Sequence, residues 1–336
     1  MFLDQIIANT INPTQEFQAV ADNKPKLVNL IGEGEFCQKL NNPSRDLQTI
    51  QTLAKHDFDV VMQPVTVGER RIPGKVIACK STGEFLGNGV VSEGYKPMQP
   101  SELYDIANHL LSLDDTMTVT DIVTRSDSHM IGLQLNKGSW SPTGEFNDRI
   151  ENNLVLFTTF DGSKPTSLRT VSFRPFCSNQ YAATKHLFAI RHTAQADKRI
   201  FILKSLLNGV TREIAEANAS IQSLVYKAMS KGQAINWFSK LYLTGDEREK
   251  LNGRAKTVHD NRLDVFEYLL SNGAGHEAGE NTRYAAFNAV TNYCTHQRAT
   301  RVTGQNGSEQ EIRWESNLFG SSADFAQKAV NQLVTM

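Results

Sequence analysis

The chain has 336 residues, of which 40% are hydrophobic and 21% charged, and its net charge is -1. These proportions are those of a folded water-soluble protein and exclude disordered, collagenous and membrane compositions. No apolar run reaches the ~18–20 residues that span a bilayer. The opening MFLDQIIANTINPTQEF carries Asp4 and lacks the cationic start of a secretory leader, so a cytoplasmic protein with no membrane contact is expected.

In chain order, residues 1–57 read as a helical or irregular arm, interrupted by Pro13, Pro25 and Pro43, with a short helix over 47–56 that puts Leu47, Ile50 and Leu53 on one side. Strand signals follow. VVMQPVTV (60–67) is rich in β-branched residues, and 75–91 reads as a hairpin turning at Ser81-Thr82-Gly83-Glu84. Pro97 and Pro100 close this stretch, and Ser101 is placed to cap a helix carrying Leu103, Ile106, Ala107, Leu110 and Leu111 on one face. TMTVTDIVTR and HMIGLQLN make a second hairpin around Ser126-Asp127-Ser128. NLVLFTTF (153–160) and SLRTVSF (167–173) make a third around Asp161-Gly162, a strong turn pair.

Beyond about residue 184 the period becomes helical. Residues 210–230 repeat Ile214, Ala217, Ile221, Leu224 and Ala228 behind a Thr211 cap, as a packing face or an oligomer seam. Further helices are expected around 261–270 and at TRYAAFNAVTNYCTHQRATR, separated by a Gly-rich loop. The expected class is α+β: an antiparallel, hairpin-rich sheet with a packed helix over 58–209, followed by a helical region over 210–336.

No catalytic motif is found. Ile31-Gly32-Glu33-Gly34-Glu35 lacks the spacing of a phosphate loop and presents acids where phosphate would lie. His186 and His192, or Cys294 and His296, have no metal-ligand spacing. Cys37, Cys79, Cys177 and Cys294 form no CxxC pair and are expected as free thiols. No metal, no cofactor and no enzymatic activity are therefore expected. A scattered site around Asp161, Cys177 and His192, with Arg174 lowering the thiol pKa, is the enzymatic alternative.

The charge is unevenly placed. Ser163 to Lys204 holds eight basic residues against the single acid Asp197, a net +7 that leaves the rest of the chain at -8. Cations there alternate with aromatics, the mixture that lets a protein follow phosphates and stack unpaired bases. Arg169, Arg174, Tyr181, Lys185, Arg191, Lys198 and Arg199 are the candidate contacts, joined by Arg70, Arg71, Lys75 and Lys80 near the first hairpin.

Three stretches resemble one family, the domain-of-unknown-function proteins carried by phages, prophages and plasmids. They are TGEFLGNGVVSEGYKPMQ, with its Tyr95 and Pro97; FDGSKPTSLRTVSFRPFCSNQYAAT…IRHT; and AFNAVTNYCTHQR…ESNLFGSSADFAQKA. The second supplies Asp161, Gly162, Ser163, Arg174, Cys177, Asn179, Arg191, His192 and Thr193; the third supplies Asn288, Ala289, Val290, Thr291, Tyr293, His296, Arg298, Phe319 and Gly320. The chain departs from the family after Asn179, where Gln180 and Tyr181 replace the usual Thr-Leu. The resemblance implies a mobile-element context. By fold-level analogy alone, the hairpins around a helix are similar to the single-strand annealing proteins (the Erf, Sak, RecT and Redβ superfamily), which form rings or filaments and use no nucleotide. The expected function is cofactor-free binding and annealing of single-stranded DNA in a phage or plasmid recombination system, by a homo-oligomer. The alternative is a protein-interaction factor of a mobile element, such as counter-defence, with no nucleic-acid binding.

Overall fold

A computed structural model describes residues 25–28, 37–87, 89–125, 130–145, 148–174, 179–181, 186–193, 209–243, 247, 249–273, 276–277, 279–299 and 308–336. The strands are β1 (Leu27–Val28), β2 (Cys37–Ser44), β3 (Val60–Val67), β4 (Arg70–Cys79), β5 (Thr118–Thr124), β6 (Met130–Trp140), β7 (Ile150–Thr159), β8 (Thr166–Arg174), β9 (Asn179–Tyr181) and β10 (His186–Ile190). The helices are α1 (Leu47–Leu53), α2 (Pro100–Leu113), α3 (Val210–Val225), α4 (Lys231–Tyr242), α5 (Gly253–Asn272), α6 (Arg283–Asn292, continued by a π-turn over Tyr293–Gln297), α7 (Glu309–Phe319) and α8 (Ser321–Thr335).

The main sheet runs β1-β2-β5-β6-β7-β8-β10, with β9 paired to the far end of β8. Every pairing is antiparallel. Because side chains alternate across a strand, the register decides what each face carries. Leu133↔Leu156 and Leu156↔Leu168 align one apolar row. That face packs with Leu103, Ile106 and Leu110 of α2. On the opposite face Val123, Met130, Val155, Phe157 and Val171 lie under Trp314 and Leu318 of α7. Gly132 sits opposite Phe157, and a Cβ there would come within 2.8 Å of the Leu156 carbonyl. The glycine lets Phe157 reach Phe319, with ring centroids 4.0 Å apart. A third cluster joins Ile221, Phe238, Phe266, Tyr284, Phe287 and Leu333 of the helical region to Ile150 of β7. Each fully buried aliphatic side chain contributes about 2 kcal/mol.

The fold is the α+β architecture expected, with helices dominating the last third. Five local expectations are corrected. Residues 186–190, expected within the helical stretch, are the strand β10 paired to β8. Residues 37–44, expected within a helical or irregular arm, are a strand of the main sheet. The first hairpin is β3–β4, turning at Gly68-Glu69, because Gly68 takes φ +59 and closes a two-residue loop between Val67 and Arg70. The Ser81–Glu84 turn leads only to isolated bridges, Ala78↔Phe85 and Lys75↔Val91. The α2 cap is Gln99, in a reciprocal box with Glu102, because Pro100 fills the first helical position where no N–H is needed; Ser101 lies inside the first turn. Helix α3 starts from Gly209 with no side-chain cap, and it ends before Ala228, which bridges to Thr282.

Candidate nucleic-acid interface

The β3–β4 hairpin presents exposed apolar side chains, Val67 at 68% and, on the segment laid against β4, Phe85 at 62% and Val90 at 55%. The four expected cations lie on β4 or directly after it. Arg70 is exposed. Arg71 Nη2 and Lys75 Nζ grip the two oxygens of Glu93, each at 3.2 Å. Hydrogen bonding by Lys75, with the charges of both cations, holds the Glu93 carboxyl below its ordinary pKa. Lys80 Nζ meets Asp59 Oδ2 at 3.3 Å. Apart from Lys75, which is half-buried, these are exposed pairs, of the kind that contribute little.

The 163–204 strip does not form one cationic surface among the described residues. Arg169 is buried on the α7 side of the sheet, where Nη1 donates to the Leu318 carbonyl at 2.6 Å and the guanidinium lies 5.0 Å from the Phe319 ring centre. Burial lowers its pKa. Arg169 therefore ties β8 to the end of α7, which corrects its expected role as a phosphate contact. Lys164 Nζ pairs with Glu315 Oε2 at 3.1 Å, and Glu315 Oε1 also takes Arg125 Nη1 at 2.6 Å. Arg191 is exposed, at the end of β10. Arg174 ends β8 opposite Asn179, and Tyr181 pairs with Ser172; their side chains lie outside the described residues. Lys185, Lys198, Arg199 and Cys177 also lie outside them.

What gathers the remaining groups is the segment 91–97. Val91 pairs with Lys75, Glu93 takes Arg71 and Lys75, and the Lys96 N–H donates to the His192 carbonyl at 3.2 Å, next to Arg191. Between them Tyr95 stacks on His192 with centroids 5.0 Å apart, and its hydroxyl donates to the Thr159 carbonyl at 3.2 Å. The β7–β8 turn closes against this segment. A Cβ on Gly89 would sit 2.8 Å from the Asp161 carbonyl, so only glycine permits the approach. Three stretches far apart in sequence, SEGYKP, DGSKP and IRHT, thus meet at one end of the sheet.

The chemistry of this junction is structural. Asp161 Oδ1 accepts from the Ser163 N–H at 3.0 Å and the Ser163 hydroxyl at 2.6 Å, an Asx-type turn. The His192 ring bonds the backbone of Lys96 and Lys164, and burial lowers its pKa despite the nearby Asp161 charge, so it is a neutral tether. Among the described residues no group of three His, Cys, Asp or Glu side chains is placed to hold a metal. Sequence reasoning passed over Phe85, Glu93, Tyr95 and Lys96 as site residues. The SEGYKP motif pointed to the last three; nothing in the sequence marked Phe85 as exposed.

A family model described as "Domain of unknown function (DUF932)" matches residues 88–315. The β3–β4 hairpin precedes that span and the three converging stretches lie inside it. No curated protein matches the chain, and no solved structure does.

Proposed function

We propose, from the premise that the chain belongs to the DUF932 family of domains of unknown function, that it binds single-stranded DNA along the β3–β4 hairpin and the 91–97 segment. The observation that carries this reading is the gathering of Arg71, Lys75, Lys96 and Arg191 along that one segment, beside exposed Phe85 and Val90. Cations that follow phosphates and an aromatic face that stacks on bases are what single strands require. Phosphate competes with Glu93 and Asp59 for their partners, so binding is coupled to opening of exposed ion pairs. In this reading the protein anneals strands as a homo-oligomer in the cytoplasm, in a phage or plasmid recombination system, without nucleotide or metal.

A salt titration tests it. A 40-mer single strand is expected to bind at micromolar or tighter affinity in ~50 mM salt and to weaken as salt rises, because each neutralised phosphate releases counterions. No retention of the 40-mer at that salt discards the reading.

One observation favours a second reading. Between residues 59 and 93 four acids balance four cations in number, as at the rim of a protein–protein interface around an apolar centre. If DNA is not bound, this hairpin is the docking surface of a protein partner.

A further inference from the structure

Helices α4 and α5 pack side by side, yet part of their seam is open. Gly232, Ile235, Asn236 and Ser239 recur at i, i+3, i+4 and i+7 on α4, and Lys256, His259, Asp260 and Leu263 do the same on α5. Such positions ordinarily close an apolar contact. Here they line a cleft of about 550 Å³, within the range of small-ligand sites.

Its floor is polar and buried: Ser239 Oγ and His259 Nε2 stand 3.1 Å apart, on residues 5% and 6% exposed. Its walls are aliphatic, from Ile235, Leu251 and Leu263, and Asn236, Glu249, Lys256 and Asp260 stand exposed at the rim. Lys256 and Asp260 are one helical turn apart with opposite charge, and neither makes an ion pair with any described residue. Lysine preceding aspartate is the less favourable order for such a pair, which leaves both groups open to a ligand.

We propose that this cleft binds a free α-amino acid with an aliphatic side chain. Lys256 takes the carboxylate, Asp260 takes the ammonium with Glu249 beside it, and the ligand side chain lies against Ile235, Leu251 and Leu263. Side chains one turn apart, about 5–6 Å at Cβ, can reach together the two charges that one α-carbon carries; a dipeptide spreads its charges by one more residue. The site is separate from the DNA-binding surface, so either reading can fail alone.

Isothermal titration of the full chain with L-leucine tests this, against 4-methylpentanoate, which lacks the ammonium, 3-methylbutylamine, which lacks the carboxylate, and the dipeptide Gly-Leu. Leucine is expected to bind at least tenfold more tightly than each of the other three. Lys256→Gln should bring leucine down to the level of the amine, and Asp260→Asn down to the level of the acid, both at unchanged melting temperature. Absence of heat with leucine at millimolar concentration overturns the proposal. So does equal binding of either analogue or the dipeptide, or unchanged leucine affinity in both variants.

Discussion

At the scale of single residues, burial separates the cations that hold the fold from those that meet solvent. Arg169 reads in the sequence like Arg191, one more cation among aromatics. The register Val155↔Arg169 turns it under α7, where Nη1 donates to the Leu318 carbonyl. Composition and spacing carry no trace of that, since the face of β8 is set by pairing with β7. The same contrast governs histidine. His56 lies between the Tyr104 hydroxyl at 3.0 Å and the Thr124 hydroxyl at 2.7 Å, and burial pushes its pKa down to about 3. The fold therefore holds the neutral ring. Its contribution is complete above the unfolded value near 6.5 and is lost as pH falls from there toward 3, at about 1.4 kcal/mol per unit. His192 is shifted in the same direction. Urea denaturation should show about 2 kcal/mol less stability from His56 at pH 5 than at pH 8. His56→Gln, though weaker at pH 8, should have a flatter profile; an equally steep profile in the variant would assign the acid sensitivity elsewhere.

At the scale of elements, the sequence disclosed the strands and helices whose patterns are local and hid the contacts that join them. β5 through β8 were legible because alternation and the Asp161-Gly162 turn specify them within a few residues. β2 was not, because its pairing with β5 is made across about eighty residues, and its own sequence, CQKLNNPS, has little β propensity. The Leu-Gly-rich stretch after β4 was misread as a strand because two bridges, not a ladder, hold it. Helix α7 was expected only as part of a helical third, and its place on the sheet depends on charge. Arg125, 4% exposed, meets Glu315 at 2.6 Å and Glu311 at 4.0 Å. Removing one partner of a buried pair leaves the other charge uncompensated, which costs about 3 kcal/mol. Glu311 remains near Arg125, so Glu315→Gln should lower the unfolding free energy by about 2 kcal/mol, seen as a lower urea midpoint at unchanged slope. A loss within 0.5 kcal/mol, the ordinary scale of a surface change, would mean that α7 is held by Trp314, Leu318 and Phe319 alone.

At the scale of the whole molecule, a net charge of -1 conceals segregation that is only partly spatial. The +7 count from Ser163 to Lys204 predicted a groove along the third hairpin; Arg169 and Lys164 are instead engaged with α7. Arg71 and Lys75 reach the 91–97 segment through Glu93, and Arg191 borders it beside His192, a junction visible in sequence as motifs but not as neighbours. Glu93 sits at its centre, holding Arg71 and Lys75. If single-stranded DNA lies there, that carboxylate competes with phosphate, and its removal must strengthen binding rather than weaken it. The decisive measurement is the affinity of the Glu93→Gln protein for a fluorescent 40-mer by anisotropy across a salt series, beside wild type and Arg71→Ala. The expected result is affinity raised about three- to tenfold by Glu93→Gln, and a salt slope lowered by about one in Arg71→Ala, at unchanged melting temperatures. Equal affinity and equal slope in all three proteins would contradict DNA binding at this surface and leave the hairpin to a protein partner.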